Sequence, residues 1–381
     1  MVDTVSLMLN EKDFRITDHN RFSPSTENLF VYPYIKVTGK SPFKAHNNPT
    51  KKDVQLYGYL PRLTLMKALR RGGFSITLKI EFSVPKLLYG NNFDEVIEPD
   101  FGEICWKLKD LVKHMGVEIS DVKLISKANV SSIHYSKNII LTDYTTPTHY
   151  LKELSRININ QLLDFNQTDF RNEGHALKYR SNNYEVIFYD KLEDLKKAKI
   201  SDKRAIEKDN VSQMSFFEAR KPLKPFEVLR LEVRIGNRKK LKQVLNNHLF
   251  KLDLNFEKLF SREISRKILY SLVHEVEKAY PKLLKTEEIS NERLCINLQL
   301  NNPKVTYSQL LKYLGAKVLI EEIGVRGFRQ ATKRYGDKQW YRLNQGMNSL
   351  VIGPEVKIFQ NVNNAVREFK QIKLENYNEY M

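Results

Sequence analysis

Tyr189 stands where the alternating run Asn183-Tyr184-Glu185-Val186-Ile187-Phe188-Tyr189 gives way to a charged stretch of helical spacing, Asp190 through Lys199. Lys191 follows two residues later. A phenol held at a strand-to-helix junction beside an ammonium is placed to act as a nucleophile. Its ordinary pKa is about 10, so the phenoxide needs a cation, a metal or a base to form. The chain carries 63 Lys and Arg against 45 Asp and Glu, a net charge of +18, which makes a phosphodiester the natural electrophile. The structural alternative is an amphipathic plug, ring in the core and hydroxyl in water, and with 19 tyrosines most must serve packing.

Three further side chains could join Tyr189 in an antiparallel sheet. His134 closes the strand pattern Val130-Ser131-Ser132-Ile133-His134. Glu232 lies between Arg230 and Arg234 in the period-2 strand Val228–Ile235, with Leu229, Leu231, Val233 and Ile235 on the opposite face. Glu81 sits on an otherwise mostly apolar strand. An imidazole with one or two carboxylates suits a divalent ion such as Mg²⁺ or Mn²⁺, which would polarise a phosphate while Tyr189 attacks. Arg230, Arg234 or Lys191 would then stabilise the developing charge. Arg-Glu-Arg alternation is also ordinary cross-strand charge pairing, and spacing alone does not bring these groups together.

Several classes are disfavoured. The two cysteines, Cys105 and Cys295, are far apart, which fits a reducing cytoplasm and excludes a CxxC-type zinc cluster. No HExxH and no GxxxxGK[ST] occurs, so neither a zincin nor a P-loop motor is expected. No apolar run approaches about 18 residues, and the opening residues read as a strand, so no membrane association is expected.

The elements that must position these groups read as α+β. Strands are expected at Val2–Leu7, Phe74–Val84, Val122–His134 and Val228–Ile235. A hairpin pairs His175–Tyr179 with Glu185–Tyr189 around Ser181-Asn182-Asn183. Helices are expected from Phe93 to Met115, after Pro147 and after Tyr189. Gly39–Tyr59 reads as an exposed basic loop, and Pro85–Asn92 as a turn. Beyond Gly236 helical spacing dominates. The chain divides into 1–236, a sheet-containing domain; 237–345, a helical domain; and 346–381, a polar tail with one short helix.

At these residues the chain resembles the gene II/gene X replication initiators of filamentous phages and their plasmid relatives. The resemblance rests on Met1-Val2-Asp3-Thr4-Val5, Val84-Pro85-Lys86-Leu87-Leu88-Tyr89-Gly90-Asn91-Asn92, Val130–His134, Tyr189-Asp190-Lys191 and Leu229–Ile235. It covers residues 1–240 well and 240–345 more weakly, with Trp340-Tyr341-Arg342 the best late match. It implies a HUH-like nuclease domain, an antiparallel sheet flanked by helices, followed by a mostly helical C-terminal domain. It also implies a rolling-circle initiator that nicks one strand of a supercoiled origin. Tyr189 would form a 5′-phosphotyrosyl link, a host polymerase would extend the freed 3′-hydroxyl with a host helicase, and the displaced single strand would be rejoined without ATP. This chain departs from the family in having no His-hydrophobic-His pair, and in placing His134 where the phage proteins have an acid. The metal set implied is His134 and Glu232, with the third ligand left open between Glu81 and His175.

Origin DNA, as duplex and single strand, is the expected partner. Its phosphates would meet Arg230, Arg234, the run Arg238-Lys239-Lys240, Lys196 and Lys197 in the basic helix, and Arg329, Lys333 and Arg334 within the basic segment Arg326–Arg342. Two competing readings remain: a conjugative relaxase or transposase sharing the chemistry, and a non-catalytic origin-binding protein in which Tyr189 stacks on a base.

Overall fold

The computed structural model describes residues 1–27, 29, 43–70, 73–142, 145–157, 167–171, 175–197, 227–286, 290–353 and 357–375. Nine of its strands form one antiparallel sheet: β1 (Val2–Asn10), β3 (Phe43–Asn47), β4 (Arg62–Arg70), β5 (Gly73–Ser83), β7 (Asn129–Ile140), β8 (Gln167–Arg171), β9 (Ala176–Ser181), β10 (Tyr184–Asp190) and β11 (Val228–Ile235). Their order is β3-β4-β5-β1-β7-β11-β10-β9-β8. Two short strands, β2 (Arg15–Ile16) and β6 (Val117–Glu118), pair apart from it. The α+β class expected from sequence is what the chain adopts.

Alternation along the central strands sorts their side chains onto two faces. Val5, Leu7, Ile133, Tyr135, Leu229, Leu231, Val233, Val186 and Phe188 are all buried in the main core. Helices Pro147–Ser155, Arg238–Asn247, Arg262–Ala279 and Gln360–Glu368 pack against these strands. Two tyrosines on this face satisfy their hydroxyls by donating to helix-side carbonyls: Tyr135 to Leu259, and Tyr179 to Leu154. The opposite face carries Ser6, Glu81, His134, Ser136, Asn138, Arg230, Glu232, Arg234 and Tyr189, brought into adjacent rows by the strand register.

Several expected elements differ. Val122–His134 is not one strand: Asp121 caps a short helix, Val122–Ser126, and β7 begins only at Asn129 and continues to Ile140. The Pro85 segment is a helix, Val84–Tyr89, because proline is tolerated in a first turn; it ends at Gly90, whose φ of 73° suits glycine. The helix expected from Phe93 starts at Phe101. Within Gly39–Tyr59 the described residues form β3 and a capped helix, Lys51–Tyr57; residues 39–42 lie outside the described set.

The polar tail is not a free tail. Val362, Val366 and Phe369 join the main core, and Ile372 donates its amide to Glu95 Oε2 at 3.1 Å. In the C-terminal helical part, the helix Tyr307–Ala331 bends at Gly324, with φ 71°. There Val325 donates to the Arg156 carbonyl, and a Cβ on Gly324 would lie 3.2 Å from the Ser155 oxygen.

Candidate functional site

β10 and β11 pair with Tyr189 opposite Arg230 and Ile187 opposite Glu232; β11 and β7 pair with Glu232 opposite Ser136 and Arg234 opposite His134. Tyr189, Glu232 and His134 therefore sit on one face of three adjacent strands. The Tyr189 hydroxyl is 3.5 Å from Glu232 Oε2, and His134 Nδ1 is 3.4 Å from Glu232 Oε1. Tyr189 is the last strand residue but one. Asp190 then caps the following helix, Lys191–Lys197, accepting from the amides of Leu192 and Glu193 at 3.0 Å each. The junction expected at Tyr189 is thus where strand gives way to helix.

The third member of the cluster is Asp3, a second carboxylate. It can present an oxygen within 4.8 Å of ligand atoms from both His134 and Glu232, and no other described set of three or more His, Cys, Asp or Glu does so. Strict alternation would place Asp3 with Val5 and Leu7 on the apolar face. The β1–β7 register shifts between Val2 and Thr4, and this bulge re-aims Asp3. Two carboxylates and an imidazole form a donor set suited to Mg²⁺ or Mn²⁺. Both acids are also held by guanidiniums. Arg230 Nη2 is 2.5 Å from Asp3 Oδ1, and Arg234 Nε is 2.8 Å from Glu232 Oε1.

The other candidate ligands fall elsewhere. Glu81 shares the face but is engaged by Lys79 at 2.6 Å and accepts from Ser6 at 3.3 Å. His175 sits on the far side of Tyr189, its Nδ1 3.8 Å from Asp190 Oδ2. Neither belongs to the Asp3–His134–Glu232 set.

The electrostatics are those of a largely buried, crowded site. Burial would push the Glu232 carboxyl up, but Arg234 and His134 hold it well below the usual carboxylate range. Burial pushes the Tyr189 phenol well above its ordinary value; Arg230 opposes this and Glu232 adds to it. Burial also lowers Lys191, to about 8, with the charge on Arg230 adding to the effect. Lys191 is wholly buried, its Nζ 5.7 Å from the Tyr189 ring centre and 3.7 Å from Asp194.

Among the described residues, six buried side-chain nitrogen or oxygen atoms lack a hydrogen-bond partner. Four of them surround this place: Lys191 Nζ, Arg230 Nε, His175 Nδ1 and Asn92 Oδ1. An open cleft of about 280 Å³ lies among them, lined by Asp3, Asn92, His175, Tyr189, Glu232 and Arg234, with others. Unsatisfied buried polar atoms are rare in folded proteins; here Asn92 and His175 line the cleft, and Lys191 and Arg230 lie behind it beside Tyr189.

The expected phosphate contacts divide. Arg230 is 2% exposed and bonds Asp3, Ser136, Asn138 and the Asn92 carbonyl, so it is held inside the protein and does not present itself to solvent. Arg234 is half-buried on Glu232. Arg238 and Lys239 line a separate groove with Lys242 and Lys251, and Lys240 lies 5.2 Å from the Tyr184 ring centre. Arg329 is half-buried, whereas Lys333 and Arg334 are exposed. Lys196 and Lys197 belong to the helix Lys191–Lys197, but their side chains lie outside the described set. No described helix is long and apolar enough to cross a membrane. Searches against protein-family models, curated proteins and solved structures find no match to this chain.

Proposed function

We propose that the chain is a tyrosine-dependent, divalent-metal-assisted DNA nicking and joining enzyme that initiates rolling-circle replication. The observation that carries this reading is the convergence of Tyr189 with Asp3, His134 and Glu232 at one cleft, the Tyr189 hydroxyl lying 3.5 Å from Glu232. A divalent ion held by Asp3, His134 and Glu232 would polarise the scissile phosphate and offset the two carboxylate charges that oppose the phenoxide.

The chain's own groups divide the remaining work. Tyr189 Oη attacks phosphorus and its phenolic proton leaves past Glu232 towards solvent; the new O–P bond forms as the P–O3′ bond breaks. The electron pair stays on the 3′ oxygen, which takes a proton. Lys191, with a pKa of about 8, is suited to give that proton and to take it back when the 3′-hydroxyl attacks the phosphotyrosine. Arg230 and Arg234 fix both carboxylates and place positive charge beside the phosphoryl oxygens. Each step exchanges one phosphodiester for another, which is why rejoining needs no ATP.

The test is a gel assay with supercoiled circular DNA carrying this gene. Nicked circles with protein on one 5′ end are expected with Mn²⁺, and none with EDTA or with Tyr189→Phe, whose DNA affinity stays within about three-fold of the parent protein's because stacking survives the change. Nicking by the phenylalanine variant would remove Tyr189 as nucleophile. Intact binding with no adduct under any condition would favour the origin-binding reading.

A further inference from the structure

The basic segment at the far end of the chain folds into a helical hairpin: the end of helix Tyr307–Ala331, a single turn Lys333–Tyr335, and helix Asp337–Ser349. Phe328 and Trp340 meet edge to face, 5.6 Å between ring centres, and fix its two arms from within. With Trp340 and Met347 facing inward, the outer face carries Arg326, Arg329, Lys333, Arg334, Lys338 and Arg342, with Asp337 the one acid in the segment 326–342.

Two aromatic rings lie among these cations with most of their surface in water. Tyr335 is 59% exposed and Tyr341 is 56% exposed. Each is overlaid by one guanidinium: Arg334 at 4.7 Å from the Tyr335 ring centre, Arg329 at 5.7 Å from that of Tyr341. Arg329 is further fixed by Asp337 at 3.1 Å. A guanidinium covers one face of a ring and leaves the other open.

We propose that this hairpin binds single-stranded DNA, with Tyr335 and Tyr341 stacking on unpaired bases and the surrounding Arg and Lys side chains neutralising the phosphates. Charge alone would serve duplex equally well. The exposed rings favour a single strand, since a flat aromatic surface gains from unpaired bases and little from a backbone whose bases are already stacked. The proposal rests on the DNA-processing reading above and assigns to that reaction the place where the displaced strand is held.

The experiment uses the full chain in EDTA, where no cleavage enters, and so separates this proposal from the fate of Tyr189. Affinity is measured for a labelled oligo-dT and for a duplex of the same length. Tyr335→Ala with Tyr341→Ala should weaken oligo-dT binding by roughly ten-fold or more and duplex binding by less than about three-fold. Tyr335→Phe with Tyr341→Phe should restore oligo-dT binding. Photo-cross-linking of bromodeoxyuridine-substituted oligo-dT should label the peptides bearing Tyr335 or Tyr341. Equal loss for both DNAs, no loss for oligo-dT, or cross-links confined to the Tyr189 cleft would overturn it.

Discussion

Two buried charged clusters lie side by side in the sheet domain and are built to opposite standards. Around Glu95 every group is matched: Oε2 accepts from Lys137 Nζ at 2.6 Å and from the Ile372 amide at 3.1 Å, Oε1 accepts from the Asn138 amide at 2.6 Å, and Lys137 also reaches the Lys370 carbonyl at 2.7 Å. Around Tyr189, Lys191 Nζ, Arg230 Nε, His175 Nδ1 and Asn92 Oδ1 have no hydrogen-bond partner, although Asp194 and Asp190 stand 3.7 and 3.8 Å from the Lys191 and His175 nitrogens. Asn138 joins the two: its backbone amide donates to Glu95, and its side-chain oxygen accepts from Arg230. A satisfied buried pair fastens the chain; an unsatisfied one is kept at a cost in stability, and such a cost is ordinarily retained for a ligand.

The contrast can be broken by exchanging the roles. Asp3→Asn keeps an oxygen for Arg230 but is a poorer ligand. Mn²⁺-dependent nicking should fall by at least about a hundred-fold, since losing even an outer-shell partner of a metal costs roughly 10–100-fold. Thermal stability should fall, but by less than on losing Glu95, because the amide oxygen can still accept from Arg230. A titration of nicking against Mn²⁺ matching that of the parent protein would take Asp3 out of the site.

Glu95→Ala should act in the opposite sense. Removing one member of a buried pair costs about 3–5 kcal/mol, and the segment 370–372 loses its fastening, so urea unfolding should shift strongly. Nicking by the protein that remains folded should stay within a few-fold. A variant that folds as well as the parent yet cannot nick would reverse the assignment of the two clusters.

Lys191→Met sharpens the comparison with a gain. Lys191 is wholly buried and its pKa lies near 8, below the ordinary 10.5. Below pH 8 it is charged in both the folded and unfolded chain, and the full penalty of burying the charge is present. Between about 8 and 10.5 the folded protein has released the proton and the unfolded chain has not, so stability rises with pH. The methionine variant should be more stable at pH 7, by at most roughly 3 kcal/mol, should lose that rise above pH 8, and should nick more slowly. Destabilisation at pH 7 would mean that Lys191 fastens the fold as Lys137 does.

Much of this arrangement was legible in the residues. Period-2 patterning gave β11 and the β9–β10 hairpin with their faces, and with them Tyr189, Glu232 and the arginines. Asp3 was not legible, because its place on the polar face comes from a one-residue register shift that alternation cannot express. Glu81 and His175 have suitable chemistry but are drawn to Lys79 and Asp190, choices made by tertiary packing. Arg230 read as a surface cation because nothing in its strand shows that the loop around Asn92 closes over it. The tail beyond 356 read as polar because its apolar residues are few; Val362, Val366, Phe369 and Ile372 suffice to seat it on the sheet domain.

The central claim is that Tyr189 carries the DNA through a covalent bond. The direct measurement is mass spectrometry of the protein recovered from a nicking reaction with Mn²⁺, after exhaustive nuclease digestion. A peptide containing Tyr189 with one 5′-linked nucleotide, absent when EDTA replaces Mn²⁺, is the expected result. A nucleotide on any other residue, or nicked DNA with no modified peptide, would contradict it.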